Sequence, residues 1–332
     1  MVLCLTGCSS ITGKSNITNL LSAPKLSKNE SDIVLKIEGY LGEDINLKYS
    51  QTQGYTAPIQ LIDIDADDVQ EAVVFYYAPN RGTNIRIAVL EFENEEWNIV
   101  SDKEGLGDEV FYFDTMVLPD VAGKQIAVGY RQSNIDENFF VTYFTDKTKN
   151  LDDYTAGCRH IAAGDLNGNG YNEIILTSIN SAGVVRVNAY TFTEDLTFKS
   201  IGNKALKYSD VEIIQLKINP VPSGENALYM DYSDNHSRMH TEVYVHSNSK
   251  LASAIPAGVV SKLWQYDKVI NSFDIDGDGY LETASVIQQQ TEQQLPELKY
   301  IEWADWTQQQ PERKYYGVYD TRENLFVALP DE

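Results

Sequence analysis

Short apolar runs recur along the whole chain, and they come in pairs separated by turn residues. Three pairs flank the turns that begin at Asp63, Asp165 and Asp274, and two more flank the turns near Asp120 and Asn219. Short apolar runs bounded by Gly, Pro, Asn and Asp are typical of β-strands. The pattern therefore predicts five β-hairpins at intervals of about 50 residues.

Further strand-like runs follow each predicted hairpin. They cover residues 84–92, 97–100, 139–144, 184–192, 240–246, 299–303 and 314–319. Each repeating unit then holds about four strands, which is the strand content of one β-propeller blade. The fold predicted from this pattern is an all-β propeller of about five or more four-stranded blades.

One segment near the N-terminus has a helical rather than a β pattern. Ser27 and Glu30 form a capping-box pair, a sequence signature of helix N-termini. Apolar residues then follow at helical spacing: Ile33, Val34, Ile37, Tyr40 and Leu41. The spacing predicts a helix over about 28–42 that packs on the β-structure. The predicted organisation is a partial signal and tether over 1–26, helix and strand over 27–50, and the propeller over 51–332.

Three of the five predicted turns share an acidic motif, Asp-x-[Asp/Asn]-x-[Asp/Asn], with Glu at its ninth position. Oxygen atoms at alternating positions can surround a hard cation, and a carbonyl at position 7 adds another ligand. Glycine at position 6 permits a positive φ, although the first copy has Asp68 there. A single copy would be equally typical of an Asx-rich turn, but three copies favour Ca²⁺ sites. The predicted ligands are Asp63, Asp65, Asp67, Val69 and Glu71 in the first loop; Asp165, Asn167, Asn169, Tyr171 and Glu173 in the second; and Asp274, Asp276, Asp278, Tyr280 and Glu282 in the third.

The overall charge agrees with a cation-binding role. The chain carries 49 acidic and 26 basic residues, a formal net charge of −23. Nucleic acids and anionic membrane surfaces attract clustered Lys and Arg, so this composition disfavours both as partners. The three cysteines, Cys4, Cys8 and Cys158, have no zinc-binding spacing.

The N-terminus resembles a bacterial lipobox, carried by Leu5, Thr6, Gly7 and Cys8. The resemblance implies that Cys8 is lipidated and that the polar stretch after it is a tether. The apolar run before Cys8 is short and lacks a basic residue, which indicates a partial signal. No other run has the 18 apolar residues of a membrane span. The expected location is therefore the extracellular face of the bacterial membrane, with a lipid as the only membrane attachment.

The acidic loops resemble FG-GAP repeats, also called VCBS repeats, which build integrin-α-like β-propellers. The segment 274–282 carries the resemblance most specifically, and the similarity covers roughly residues 55–320. The resemblance implies that calcium rigidifies the hairpins and that ligands bind the opposite face. Together with the lipobox, the chain is similar to bacterial surface lipoproteins.

The expected function is a calcium-stabilised binding or scaffolding module for a protein or glycan, and not an enzyme. The chain has no Gly-x-Ser-x-Gly elbow, HExxH motif or phosphate loop. A polysaccharide-active enzyme and a purely structural envelope component remain as alternatives. Glu302 and Asp305, beside Trp303 and Trp306, are open to interpretation as a sugar site. The strand-like run 324–329 is expected to pair with 45–49, unless the natural protein continues.

Overall fold

The computed structural model is all-β apart from one helix. It describes residues 26–55, 57–134, 137–145, 152–236, 239–254, 271–286, 298–306, 311–320, 322–323 and 325–329. In these residues the strands form five separate antiparallel sheets. The predicted all-β class and N-terminal helix are confirmed.

The five sheets follow one another along the chain, and each is built from consecutive strands. The first sheet contains β1 (Asn46–Leu47), β2 (Ile59–Ile62), β3 (Glu71–Tyr77), β4 (Arg86–Glu93) and β5 (Glu96–Glu104). The second contains β6 (Glu109–Met116), β7 (Gln125–Gln132), β8 (Glu137–Tyr143) and β9 (Tyr154–Cys158); the third, β10 (Ile161–Gly164), β11 (Glu173–Ile179), β12 (Val184–Phe192) and β13 (Phe198–Ser209). The fourth contains β14 (Glu212–Pro220), β15 (Asn226–Ser233), β16 (Met239–Ser247) and β17 (Lys250–Ser253); the fifth, β18 (Thr283–Val286), β19 (Leu298–Trp306), β20 (Pro311–Asp320) and β21 (Leu325–Ala328).

The hairpin that opens each sheet is the one that the apolar pairs predicted. Four of these hairpins are β2–β3, β6–β7, β10–β11 and β14–β15. In the fifth sheet a single bridge between Phe273 and Glu282 closes the turn before β18. The sequence pattern missed three outer strands, β9, β13 and β17. The longest of them, β13, is exposed or half-buried along most of its length, so it lacks an apolar run.

The helix α1 (Lys28–Leu41) begins at the predicted capping box. Ser27 Oγ accepts a hydrogen bond from the Glu30 N–H, and Glu30 Oε2 accepts one from the Ser27 N–H. Ile33 and Ile37 are fully buried against the first sheet. Tyr40, predicted on the apolar face, is instead 62% exposed. Tyr40 lies roughly 60° around the helix axis from Ile37, at the margin of the face that packs on the sheet.

The final strand pairs locally, so the predicted pairing of 324–329 with 45–49 is wrong. Strand β21 pairs with β20, starting from Asp320 opposite Leu325. Strand β1 pairs instead with the end of β3. A hairpin between β20 and β21 closes a short loop, whereas pairing with residues 45–49 would close almost the whole chain. The entropy cost of closure rises with loop length, which favours the local partner.

Consecutive sheets share apolar cores. Phe75 of the first sheet and Phe113 of the second meet edge to face, with ring centroids 5.3 Å apart. Val187 of the third sheet and Met230 of the fourth are fully buried in one cluster. The second and third sheets share a core, as do the fourth and fifth. Each sheet therefore packs against its neighbours in chain order.

Candidate metal centres

The first three hairpin turns lie side by side and are joined by hydrogen bonds. The N–H of Lys124, in the second turn, donates to the Ile64 carbonyl of the first loop at 2.6 Å. Asn172, in the second acidic loop (which is the third turn), makes two hydrogen bonds to Val117, at the start of the second turn. Its N–H donates to the Val117 carbonyl at 2.8 Å, and its Oδ1 accepts from the Val117 N–H at 2.7 Å.

The same linkage continues through the last two turns. The side-chain amide of Asn226, in the fourth turn, donates to the Asp165 carbonyl of the second acidic loop, which is the third turn. The amide of Asn219 donates to the Gly279 carbonyl of the third loop at 2.9 Å. The five turns therefore form one continuous row. In it the three acidic loops alternate with the two turns that lack the acidic motif, which we call the bare turns.

The three acidic loops have the same backbone conformation. The Asp at position 1 accepts a hydrogen bond from the N–H at position 4 in every loop, at 2.7–2.8 Å. The Glu at position 9 accepts one through Oε2 from the N–H at position 2, at 2.7–2.9 Å. The side chain at position 5 accepts one from the N–H at position 7. This agreement shows three copies of one structural motif.

The loops need two left-handed residues each, and the sequence pattern predicted one of them. Position 6 has a positive φ as expected, including Asp68 at 66°. Position 4 is also left-handed, and the first loop places Ala66 there at 65°. Glycine occupies both positions in the second and third loops. Since a side chain disfavours this region, the first loop is the most strained of the three.

Carboxylate oxygens converge in the first and third loops. Asp63, Asp65 and Glu71 bring ligand oxygens within 4.8 Å of one another, as do Asp274, Asp276 and Glu282. Groups of this kind could hold a metal ion. Asp67 does not join the first of these groups among the described residues, and Asp278 joins a different one.

The remaining predicted ligands lie in the same loops. Val69, Tyr171 and Tyr280 occupy position 7, where their N–H groups bond to position 5. In the second loop, Asn167 and Asn169 each accept a hydrogen bond from a loop N–H through Oδ1. Asp165 likewise accepts loop N–H bonds through both oxygens.

The glutamate at position 9 is buried in every loop. Glu173 and Glu282 are fully buried, and Glu71 is nearly so. Burial raises the pKa of Glu71, and it raises the pKa of Glu173 to about 7. Burial, together with the nearby Asp305 carboxylate, raises the pKa of Glu282. A bound cation would offset this desolvation and favour the ionised carboxylates.

The second and third loops differ in how their glutamate is satisfied. Glu173 accepts bonds from the Leu166 and Asn167 N–H groups and from the Asn167 side-chain amide at 2.7 Å. By contrast, Glu282 Oε1 is buried without a hydrogen-bond partner among the described residues. A buried carboxylate oxygen with no donor fits a cation as its missing partner. The residues of the third loop therefore fit a metal ion best.

Asp305 belongs to this site and was not predicted as a ligand. Its oxygen lies within 4.8 Å of oxygens from Asp278 and Glu282. Asp305 is fully buried and Trp303 is 4% exposed, so these two residues do not form a sugar-binding surface, as the alternative interpretation required. The Trp306 side chain lies outside the described residues. Only the register of β18 against β19 reveals the proximity of Asp305 to the loop.

A cavity of about 460 Å³ lies between the first two sheets, beside the first loop. Its lining includes the charged side chains of Asp65, Glu71, Glu91 and Lys103. Apolar side chains complete the lining, among them Ile64, Ile87, Val89, Ile126 and Phe144. A cation in the first loop would therefore lie at the wall of this partly open, largely apolar cavity.

No protein-family model matches the chain, and a search of curated proteins finds no match either. Within the described residues, no helix has the length and apolar character of a membrane span. Cys8 and Cys4 lie outside the described residues, while Cys158 is buried with a free thiol.

The contact between Gly123 and the first loop gives a direct test of coupling along the row. Gly123 has a φ of 66°, and a Cβ there would lie 2.2 Å from the Ile64 carbonyl oxygen. Gly123→Ala should therefore destabilise the protein by about 2–3 kcal/mol and weaken cation binding by the first loop. Chemical denaturation and calcium titration measure the two effects.

Gly157→Ala is the matched control for this substitution. Gly157 lies in β9 of the same sheet, and its added Cβ would contact nothing within 4 Å. If Gly123→Ala lowers stability but leaves calcium binding unchanged, the second turn does not support the first loop.

Proposed function

We propose that this protein is a calcium-stabilised binding or scaffolding module displayed on a bacterial cell surface, and that it is not an enzyme. The observation that carries the proposal is the threefold recurrence of one loop conformation with oxygen-bearing side chains at the same positions. Rigid hairpins at regular spacing suit a protein that presents surfaces to a partner.

The ligand chemistry favours calcium over other ions. All predicted side-chain ligands are carboxylate or amide oxygens, and none is His or Cys. Such oxygen sets suit hard cations and disfavour zinc and copper. Ca²⁺ accepts six to eight oxygens in flexible geometry, whereas Mg²⁺ needs a near-ideal octahedron. Backbone carbonyls of Val69, Tyr171 and Tyr280 would add to each set.

The propeller is part of the proposal. Each of the five sheets has four strand positions, since β1 and β2 both pair with β3 in the first sheet. Each sheet also packs on the next in chain order, which agrees with consecutive blades. The continuous row of hairpin turns agrees with blades that present the same edge on one face. The resemblance of the loops to FG-GAP repeats supports the same arrangement.

Calorimetric titration of the purified chain tests the metal sites. We expect binding of Ca²⁺ with much weaker binding of Mg²⁺, and a reduced number of bound ions in Asp63→Ala and Asp274→Ala. Asp152→Ala serves as the control, since Asp152 is exposed and outside the loops. Calcium binding that is absent, or equal in all variants, would contradict the proposal.

The partner is proposed to be a protein or a glycan, and the cavity beside the first loop is the candidate binding site for it. The cavity joins apolar walls to carboxylates and Lys103, which suits a ligand with an apolar body and polar groups. A glycan and host-protein binding screen, with calcium and with chelator, tests this idea. Val89→Phe, which fills part of the cavity, should abolish binding of a ligand seated there. A ligand retained by that variant binds elsewhere.

Surface display is proposed to depend on a lipid at Cys8. In cells that carry the full upstream signal, Cys8→Ala should release the protein into the medium, because the anchor is the only proposed membrane attachment. Fractionation and metabolic labelling with palmitate measure the change, with Cys4→Ala as the control. Continued membrane association and labelling of Cys8→Ala would contradict the anchor.

A further inference from the structure

Asp305 faces the buried glutamate of the third loop from the neighbouring strand. The register of β18 and β19 pairs Thr283 with Ala304, which sets Glu282 opposite Asp305. Both side chains are fully buried. Among the described residues, no N–H or O–H group donates to Glu282 Oε1 or Asp305 Oδ1, and the two carboxyl groups lie close enough to share a hydrogen bond. Two buried carboxylates with orphaned oxygens facing each other need a positive charge or a proton between them.

The third loop contains two groups of converging oxygens instead of one. Asp274 and Asp276 form the first group with Glu282, and Asp278 and Asp305 form the second with the same glutamate. A carboxylate has two oxygens, so Glu282 can serve one cation with each. The second group gives a role to the Asp278 carboxylate, which does not join the first group.

An acid opposite the position-9 glutamate recurs in the other all-carboxylate loop. The register of β3 and β4 pairs Ala72 with Leu90, which sets Glu71 opposite Glu91. In the second loop, whose ligands include two amides, the corresponding residue is Thr191, and it hydrogen bonds to Glu173. The cross-strand acid therefore accompanies the loops with the greatest negative charge.

Lys314 neutralises only part of this charge. The pairing of β19 with β20 shifts between Trp303 and Ala304, so that Lys314 is a bulged residue without a partner across the ladder. Its Nζ lies 2.9 Å from Asp305 Oδ2 and 3.8 Å from Asp278 Oδ2. Five carboxylates meet at the site, and Lys314 with one divalent ion offsets three of their five negative charges. A second divalent ion would balance the remaining two.

We propose that the third loop binds a second divalent cation between Asp278, Glu282 and Asp305, with Glu282 bridging it to the cation held by Asp274 and Asp276. The inference rests on the proposed calcium-binding function. Lys314 occupies the edge of the second site and competes with the ion there. The fifth sheet is thus tied to its own loop through a ligand from β19.

Counting bound ions tests the proposal. The full chain and its variants are dialysed against radioactive calcium chloride at saturating concentration. Asp305→Asn should bind one calcium ion fewer than the wild type, while Asp274 and its site remain loaded. Glu302→Gln is the control on the same strand, since Glu302 is half-buried and lies three residues away. It should bind the wild-type number of ions.

Lys314→Gln provides a second measurement if Asp305→Asn does not fold. Removal of the competing ammonium group should keep the number of ions and tighten the weakest calcium site by about tenfold, the factor of one lost like-charge contact. Unchanged stoichiometry in a folded Asp305→Asn, or unchanged affinity in Lys314→Gln, overturns the second site while leaving the loop sites intact. A wild type that binds no calcium would instead overturn the proposed function as well.

Discussion

Removal of calcium with EDTA should lower the melting temperature of the protein by roughly 15 °C. The ligand oxygens of each loop converge only when its hairpin is formed, so the ions bind the native state alone. One such ion stabilises the native state by about 2.7 kcal/mol at a hundredfold excess over Kd, and the three loops together by about 8 kcal/mol. For a chain of this size, each kcal/mol changes the melting temperature by about 2 °C. Thermal melting followed by circular dichroism, in calcium and in EDTA, measures the shift.

The loops should contribute unequally, in the order third, first, second. The first and third loops each offer four carboxylates, whereas the second offers two and satisfies Glu173 with its own donors. The first loop must also hold Asp68 in the left-handed region. Asp274→Ala should therefore reduce the calcium-dependent shift most, and Asp165→Ala least. Equal melting in calcium and EDTA would show that the loops are ordinary turns.

Replacing Asp231 with alanine should destabilise the protein by about 3–5 kcal/mol. Asp231 lies in β15 of the fourth sheet and is fully buried. It accepts bonds from the Ser272 N–H at 2.8 Å and the Ser272 hydroxyl at 3.0 Å, just before the third loop, and from the Thr241 hydroxyl. Alanine leaves these buried donors without an acceptor. It also removes the hydrogen bonds to Ser272 that tie the fourth sheet to the segment leading into the fifth.

Chemical denaturation measures this loss, and Asp152→Ala is again the matched control. Exposed substitutions of that kind usually change stability by less than about 0.5 kcal/mol. Asp231→Asn should fall between the two, because the amide keeps one acceptor. A loss below about 1 kcal/mol for Asp231→Ala would show that the tie does not stabilise the sheet interface.

The sequence pattern predicted the parts of the fold that depend on neighbouring residues. The capping box at Ser27, the five hairpins and the loop turn at Gly279 all follow from residues a few positions apart. Strand β13 was missed because its polar, exposed residues give no apolar signal. The pairing of 324–329 was wrong because local and distant partners have the same pattern, and only closure entropy separates them.

The candidate site shows the same division between local and distant contacts. The grouping of the loop carboxylates could be predicted from their spacing because they lie within nine consecutive residues. Asp305 could not, since 22 residues separate it from Glu282 in the chain and only strand register brings them together. Its role also depends on the bulge at Lys314, which one sequence does not reveal.

The alternation of acidic and bare turns distributes evolutionary constraint unevenly along the row. A cation loop must keep its ligands, its two left-handed residues and the carbonyls that its neighbours use. A bare turn needs only a donor aimed at the next loop, such as the Lys124 N–H or the Asn226 amide. Under these unequal demands, substitutions should be tolerated best in every second turn. A chain with five hairpins of which three share the acidic motif agrees with this difference.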